Sequence, residues 1–330
     1  MRRIGIFIEI LIVLLALEIS ASAAPEFYGY RDCIVLKNRV CRAVVTGERG
    51  CRLLEFSFQG ENPIFAYSKP ADRYWFSPTG GRMDIGPELP VPKHPSVWGG
   101  TWTGKRTSPL SMVWKSPEDP AAPFEVTREF SLDERLPKLT IRQTVRNRLT
   151  KPLVLHHWGR GMFRPGGTVI VPLLPKGVRR FPRGFAQYGW KPDFWNLDLD
   201  PKDPAVTEQD GLLLVSPRPK HPKNTFECGR PWAAYLLPGG DRLLVMSFAI
   251  SPRRTSGELG GGNFIIFYNE QFCELEPIGP RESVAPGGMF HFTERWELFN
   301  VRRSWREILE KRPVVETDHF PDKTLPETTE

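Results

Sequence analysis

The sequence predicts an all-β protein built from many short antiparallel strands, and three observations support that prediction. The chain has 330 residues, of which 40% are apolar and 25% charged, a composition typical of a globular domain with a large core. Its 29 glycines and 33 prolines would interrupt long helices, whereas its 21 phenylalanines and 10 tryptophans favour strands. More than ten runs have strand character and one short segment has helical character, so we expect a large antiparallel sandwich or barrel.

The N-terminus has the layout of a secretory signal peptide. Two arginines open the chain, residues 4–19 are mostly apolar, and Ala21-Ser22-Ala23 supplies the small residues of a cleavage site. We expect residues 1–23 to be removed and the mature protein to be secreted or periplasmic. An uncleaved membrane anchor is the alternative, which Glu9 and Glu18 inside the apolar stretch disfavour. No other segment predicts a membrane span.

The rest of the chain is predicted to form one domain, residues 24–312, followed by a polar, disordered tail at 313–330. Apolar and polar residues alternate in 138–147, which predicts a strand with one buried face. Residues 59–109 and 159–209 are rich in glycine and proline and are predicted to be loops. The other predicted strands are 33–36, 39–46, 51–58, 125–132, 153–158, 212–216, 233–237, 242–250, 263–268, 272–276 and 289–299, and the one predicted helix is 303–311.

Cysteine usage leaves two possibilities open. The five cysteines are Cys33, Cys41, Cys51, Cys228 and Cys273. In an oxidising compartment a disulfide can form among the first three, and the odd total leaves at least one thiol unpaired. The alternative is that all are buried thiols in strands. Their spacing fits no zinc motif, and no nucleotide-binding or serine-hydrolase motif is present, so we predict no metal and no cofactor.

Three segments follow one another in the chain: residues 128–147, residues 149–158 with two adjacent histidines, and residues 272–298 with a Glu-Pro pair followed by Ala-Pro-Gly. In this order they resemble the galactose mutarotase-like (aldose 1-epimerase-like) superfamily. The first is similar to its central meander, the second to the strand that delivers its catalytic histidine, and the third to its Glu-Pro strand end and Ala-Pro-Gly turn. Together with residues 45–56, the resemblance spans about 33–300. It implies a large antiparallel β-supersandwich, with the short helix at the C-terminus, that acts on or binds carbohydrate.

One further segment, Gly80–Glu88, is similar to an uncharacterised secreted bacterial branch of this superfamily, a domain of unknown function. There, a Gly-Gly-x-Arg run followed by Pro-Glu recurs. That branch has no assigned reaction to carry over.

The resemblance implies an acid–base pair for opening a sugar ring at its anomeric carbon. By motif position Glu276 is the base and His157 the acid, with His156 as its close rival. Neighbouring residues of a strand face opposite sides, so only one of the two histidines can point into a given cleft. Glu274 competes with Glu276 for the base role. The structural alternatives are a buried, hydrogen-bonded histidine and a glutamate paired with an arginine.

Loop tryptophans are the first group of candidate sugar-binding residues. Indole rings stack on the C–H faces of sugars, although a loop tryptophan can equally pin its loop to the sheet. The tryptophans in loop-like stretches are Trp75, Trp98, Trp102, Trp190 and Trp195.

Cations and one loop histidine form the second group. His94 is the nearest counterpart of a second histidine that epimerases of the family carry in an early loop. The run Lys176–Arg183, which includes Arg180, holds four cations, and Arg82 adds a fifth. Guanidinium groups bind carboxylate and sulfate in bidentate fashion, which favours an anionic glycan, whereas a solvated charge run is the alternative.

Three hypotheses for function follow. The first is a secreted enzyme, an isomerase of the aldose 1-epimerase type. The second is a carbohydrate-binding protein on the same fold without catalysis, and the third is a structural envelope protein. The formal charge of +7 is spread along the chain and no nucleic-acid motif is present, so the expected partner is a mono- or oligosaccharide rather than nucleic acid or a membrane.

Overall fold

The computed structural model describes residues 27–69, 77–87, 91, 93–191, 194–218, 223–250, 257–258 and 260–311. The expected signal peptide and the expected disordered tail lie outside these residues. No helix in the described part of the chain is long and apolar enough to cross a membrane.

The described residues form strands throughout, with three short helices. The strands are β1 (Cys33–Lys37), β2 (Cys41–Thr46), β3 (Arg52–Phe58), β4 (Gly81–Gly86), β5 (Thr103–Ser108), β6 (Ser111–Lys115), β7 (Phe124–Leu132), β8 (Lys138–Asn147), β9 (Leu153–Phe163), β10 (Thr168–Pro172), β11 (Phe185–Lys191), β12 (Phe194–Asp198), β13 (Val206–Gln209), β14 (Leu212–Val215), β15 (Asn224–Phe226), β16 (Trp232–Leu236), β17 (Arg242–Phe248), β18 (Phe264–Tyr268), β19 (Cys273–Pro277), β20 (Glu282–Val284) and β21 (Met289–Asn300). The helices are α1 (Glu48–Cys51), α2 (Pro95–Gly99) and α3 (Trp305–Glu310).

The strands form two antiparallel sheets that pack face to face. The 11-stranded sheet has the order β1-β2-β3-β4-β9-β19-β18-β15-β11-β12, with β20 paired to β9. The 10-stranded sheet has the order β13-β14-β10-β16-β17-β21-β8-β7-β6-β5. The predicted fold class, an all-β antiparallel sandwich, is confirmed.

A single large apolar cluster fills the space between the sheets. It includes Leu53 and Phe163 from the 11-stranded sheet and Phe130 and Trp296 from the 10-stranded sheet. The burial of β8 alternates as its sequence predicts, because the residues of a strand point to opposite faces in turn. Helix α3 covers part of the other face of the 10-stranded sheet through Leu309.

Two stretches predicted as loops contain strands. Residues 59–109 contain β4 and β5, and residues 159–209 contain β10 to β13. Strand β9 also continues past Trp158, where glycines suggested an end, as far as Phe163. A Cβ atom at Gly161 would lie 3.0 Å from the Trp296 ring, so the missing side chain gives the opposite sheet room to pack close to this strand.

All five cysteines are buried and none forms a disulfide. The structure therefore has the buried-thiol arrangement, one of the two possibilities left open by the sequence. Burial raises the pKa of Cys33 and Cys41 to about 11, so both are protonated near neutral pH.

Candidate functional site

The candidate site lies on the outer face, meaning the face of the 11-stranded sheet that points away from the 10-stranded sheet. Antiparallel partners share a face. Arg82 pairs with Arg160, and Asp84 pairs with Trp158. Glu274 pairs with Met162 of β9, which lies two positions from Arg160. The strands β4, β9 and β19 therefore place charged residues and one tryptophan side by side.

Glu276 is a fully buried carboxylate on this face. Its Oε2 atom accepts a hydrogen bond from Trp158 Nε1 and lies 3.7 Å from Lys223 Nζ. Its Oε1 atom has no hydrogen-bond partner among the described residues. Burial raises the pKa of Glu276 to about 7, helped by the charge of Glu274 and opposed by Lys223 and Arg160. A carboxyl group of that pKa can gain or lose a proton near neutral pH.

Arg160 joins the carboxylates of the site. Its Nε atom donates to Glu274 Oε1 at 2.6 Å, and its Nη1 atom donates to Asp84 Oδ2 at 3.4 Å. Its guanidinium carbon lies 5.2 Å from the centre of the Trp158 ring. Burial by itself would lower the pKa of Arg160, but Glu274, Glu276 and Asp84 raise it above its usual value. Arg160 is therefore a permanent cation at the centre of the site.

Asp84 anchors the segment around α2 to the sheet. Its Oδ1 atom accepts from Trp98 Nε1 at 2.6 Å and lies 3.1 Å from His94 Nε2. Burial opposes ionisation of Asp84, but His94 and Arg160 hold its pKa below the usual value. Asp84 is thus a charged anchor that brings two of the predicted binding residues to the site.

An apolar patch extends the site toward β11. Trp158, Tyr188, Ile265 and Ile278 pack together, and Lys223 Nζ lies 4.8 Å from the Trp158 ring centre and 5.6 Å from that of Tyr188. Beside Tyr188, an open cavity of about 470 Å³ runs along the β11–β12 hairpin. Trp158 and Tyr188 are only 2% and 8% exposed, so the patch is a packed aromatic cluster, and Tyr188 is its member that lines the cavity.

His156 lies on the same face as Trp158 and Arg160 but is covered. Its Nδ1 atom lies 2.9 Å from the His157 carbonyl oxygen and its Nε2 atom lies 3.0 Å from Glu258 Oε1. A Cβ atom at Gly86 or Gly257 would overlap the ring, so both glycines pack directly on it. Contact between His156 and a ligand therefore requires the 257–258 segment to move.

His157 points the other way, into the core between the sheets. Its Nε2 atom lies 2.9 Å from Glu294 Oε1, its Nδ1 atom lies 2.9 Å from Gln143 Nε2, and its ring stacks on Phe292. Burial lowers the pKa of His157, although Glu294 opposes the shift. The structure does not bring His157 to Glu276, because the two side chains leave opposite faces of the sheet.

Some of the other predicted binding residues lie at the site and others lie elsewhere. Arg82, His94 and Trp98 lie at the site, as described. Trp102 is buried in the core, where its Nε1 atom donates to the Val97 carbonyl oxygen at 2.9 Å. Arg180 is exposed, and its Nη1 atom donates to the Gly260 carbonyl oxygen at 3.2 Å. Trp190 contributes backbone to β11, and its side chain lies outside the described residues.

The basic run is partly neutralised within the protein. Arg179 donates to both carboxylate oxygens of Glu208, at 3.1 and 2.9 Å, and Arg183 donates to Asp200 at 2.7 Å. These contacts support a structural role for the run.

Sequence reasoning missed four residues of the site: Asp84, Trp158, Arg160 and Lys223. The signal for two of them was available, since Trp158 and Arg160 follow His156 at intervals of two and share its face in a strand. Asp84 lies between the apolar residues Met83 and Ile85, in a segment that begins and ends with glycine. Nothing in the sequence marks Lys223. Among the described residues, no three metal-ligating side chains gather in a way that would hold a metal ion.

Comparison with solved structures identifies the fold. A galactose mutarotase-like protein from Lactobacillus casei superposes with a TM-score of 0.58 at 12% identity, covering 81% of this chain and all of that one. A galactose mutarotase-like protein from Clostridium acetobutylicum gives a TM-score of 0.56 at 9% identity, covering 84% and 98%.

The chain has the galactose mutarotase-like fold. A protein described as a putative aldose 1-epimerase from Escherichia coli K12 shares this fold, with a TM-score of 0.53 at 14% identity over 82% of this chain and 99% of that one. Neither a protein-family model nor a curated protein matches the sequence. On the mutarotase-like fold of this chain, the candidate site occupies β4, β9 and β19.

Proposed function

We propose that the protein binds a sugar on the outer face of the 11-stranded sheet and exchanges its anomers, with Glu276 as the general base. One observation carries this proposal: a buried carboxylate with a pKa of about 7 has one oxygen fixed by Trp158 and the other without a partner among the described residues. The mutarotase-like fold supports a carbohydrate ligand. We also propose that removal of residues 1–23 leaves the mature protein outside the cytoplasm.

The proposed reaction moves two protons and opens one bond. Glu276 takes the proton of the anomeric hydroxyl, the bond between the anomeric carbon and the ring oxygen breaks, and an acid protonates that ring oxygen. The open aldehyde rotates about its C1–C2 bond. The reverse steps then close the ring from the other side of the aldehyde, which returns both protons and gives the other anomer.

His156 is the better placed of the two histidines for the acid role. It shares the outer face with Glu276, and both of its ring nitrogens face oxygen atoms, an arrangement that a ring protonated on both nitrogens satisfies. His157 instead completes a hydrogen-bond network in the core.

Anomer exchange is the direct test. The mature protein is expected to speed the interconversion of freshly dissolved α-anomers in a panel of neutral and acidic aldoses, followed by NMR of the anomeric protons. His156→Asn should slow the exchange by roughly 10²–10⁴-fold. His157→Asn should reduce stability while the remaining folded protein keeps its activity. Equal loss of activity in the two folded variants, or no exchange by the wild type, would contradict the proposal.

The exchange rate should depend on pH through Glu276. A general base acts in its ionised form, and burial raises the pKa of this carboxyl to about 7. The rate is therefore expected to rise as pH increases through about 7 and to fall tenfold per pH unit well below that value. Rates measured from pH 5 to 9 in the NMR assay check this. A flat profile over that range would exclude a titrating base.

Carbohydrate binding without catalysis is the second candidate, and the covering of His156 by Gly257 favours it. In that case sugars stabilise the protein thermally, while anomer exchange proceeds at its uncatalysed rate in every variant. If no sugar of the panel stabilises the protein and the protein accelerates the exchange of none of them, only the structural hypothesis remains.

A further inference from the structure

Arg82 is a buried cation that forms no ion pair with any of the described residues. Its side chain is 6% exposed. Its Nε and Nη1 atoms are buried and have no hydrogen-bond partner among the described residues. Burying an ion without a partner is strongly unfavourable in free energy. A buried arginine in this state is therefore what we expect of a residue that binds an anion from solution.

The neighbours of Arg82 do not neutralise it. Arg160 lies directly across from it on β9 and is bound to Glu274 and Asp84. The two carboxylates that act on Arg82, Asp84 and Glu274, are therefore already bound by Arg160.

The neighbouring charges and burial together shift the pKa of Arg82. Burial and the charges of Arg160 and Arg52 lower its pKa to about 9, with Asp84 and Glu274 opposing the shift. An added anion would relieve this repulsion. Bidentate hydrogen bonds from a guanidinium group suit the planar oxygens of a carboxylate and the oxygens of a sulfate.

The distance to Glu276 fits one bound molecule. Arg82, Arg160 and Glu276 lie on the successive strands β4, β9 and β19. Strands are about 4.8 Å apart, so the backbones that carry Arg82 and Glu276 are separated by about 10 Å. A single sugar whose anomeric carbon lies at Glu276 can direct a charged substituent toward Arg82.

We propose that the ligand of this site is an acidic sugar whose carboxylate or sulfate group is bound by Arg82 Nε and Nη1. This inference rests on the proposed function, since it uses the same site. It assigns the charge selectivity to β4 rather than to the exposed basic run around Arg180.

The test compares sugars that differ at one position. Binding of D-glucose, D-glucuronate and D-glucose 6-sulfate, and of D-galactose and D-galacturonate, is measured by calorimetry for the mature wild type, Arg82→Met and Arg142→Met. Arg142 is an exposed arginine on the 10-stranded sheet and serves as the matched control. The wild type should prefer acidic sugars, and Arg82→Met should weaken only these, by about 10- to 100-fold. Whether the uronates or the sulfate bind more tightly decides which anion the site takes.

Thermal unfolding without ligand supplies an independent readout. Because Arg82 forms no ion pair with the described residues, Arg82→Met should unfold at the same temperature as the wild type or higher. A marked decrease in its unfolding temperature would show that Arg82 is part of an internal ion pair and would overturn the inference.

Failure of the inference and failure of the proposed function look different. If neutral and acidic sugars bind the wild type equally and Arg82→Met changes neither, the inference is wrong and sugar binding stands. If no sugar of either class binds the wild type, the proposed function fails and the acidic-sugar inference fails with it.

Discussion

Glu276→Gln is expected to reduce anomer exchange by roughly 10²–10⁴-fold while the protein still folds and binds sugar. Glutamine has nearly the shape of glutamate, and its amide oxygen can still accept the hydrogen bond from Trp158 Nε1. It cannot take a proton from the anomeric hydroxyl. Exchange measured by NMR at saturating sugar separates this loss of catalysis from a loss of affinity.

The control for Glu276→Gln is Glu129→Gln. Glu129 is exposed on β7 of the other sheet, so its replacement should leave both exchange and binding unchanged. If Glu276→Gln keeps the exchange rate of the wild type, Glu276 is not the base. If it loses sugar affinity and keeps catalysis when saturated, the residue serves binding alone.

Glu294→Ala is expected to destabilise the protein by roughly 2–6 kcal/mol, since it leaves two buried donors without a partner at about 1–3 kcal/mol each. Glu294 Oε1 faces His157 Nε2 at 2.9 Å, and its Oε2 accepts from Trp296 Nε1 at 2.8 Å. The substitution leaves both donors unpaired inside the core. Urea unfolding of the mature protein measures the change in the free energy of unfolding.

The double variant His157→Leu/Glu294→Leu tests whether the loss comes from the pair. Replacing both polar partners by apolar side chains removes the need for a hydrogen bond between them, so the double variant should be more stable than Glu294→Ala. If the losses of His157→Leu and of Glu294→Leu, measured singly, add up to the loss of the double variant, the two side chains do not interact. Either result is independent of sugar binding, because this network lies on the core side of the sheet.

The strands that the sequence predicts best are those with regular alternation. Strand β8 has the predicted limits because Leu139, Ile141 and Val145 mark one face clearly. Strand β9 is longer than predicted because Gly159 and Gly161 carry no side chain from which a face can be inferred. Their role becomes visible only in three dimensions, where Glu294 and Trp296 occupy the space next to them.

The candidate site, like the strands, could be predicted from the sequence only in part. The sequence and its resemblance pointed to Glu276, and alternation limited each cleft to one of two adjacent histidines. Alternation could not decide which one, because both His156 and His157 are buried, one under Gly257 and the other against β8 and β21. Lys223 reaches Glu276 from a loop, so only the pairing of β11, β15 and β18 places it there.

The order of the strands also determines when the site can form. Asp84 and Arg160 are separated by 76 residues along the chain, and Trp158 and Glu276 by 118 residues. Chains dominated by such non-local contacts have high contact order and fold slowly, because the entropy of loop closure is lost before the contacts form. Of the three strands that carry the site, β19 is synthesised last, after β4 and β9. No nascent fragment ending before Glu276 contains all the charged residues of the site, and the unpaired edge of β9 remains open to incorrect pairing until then.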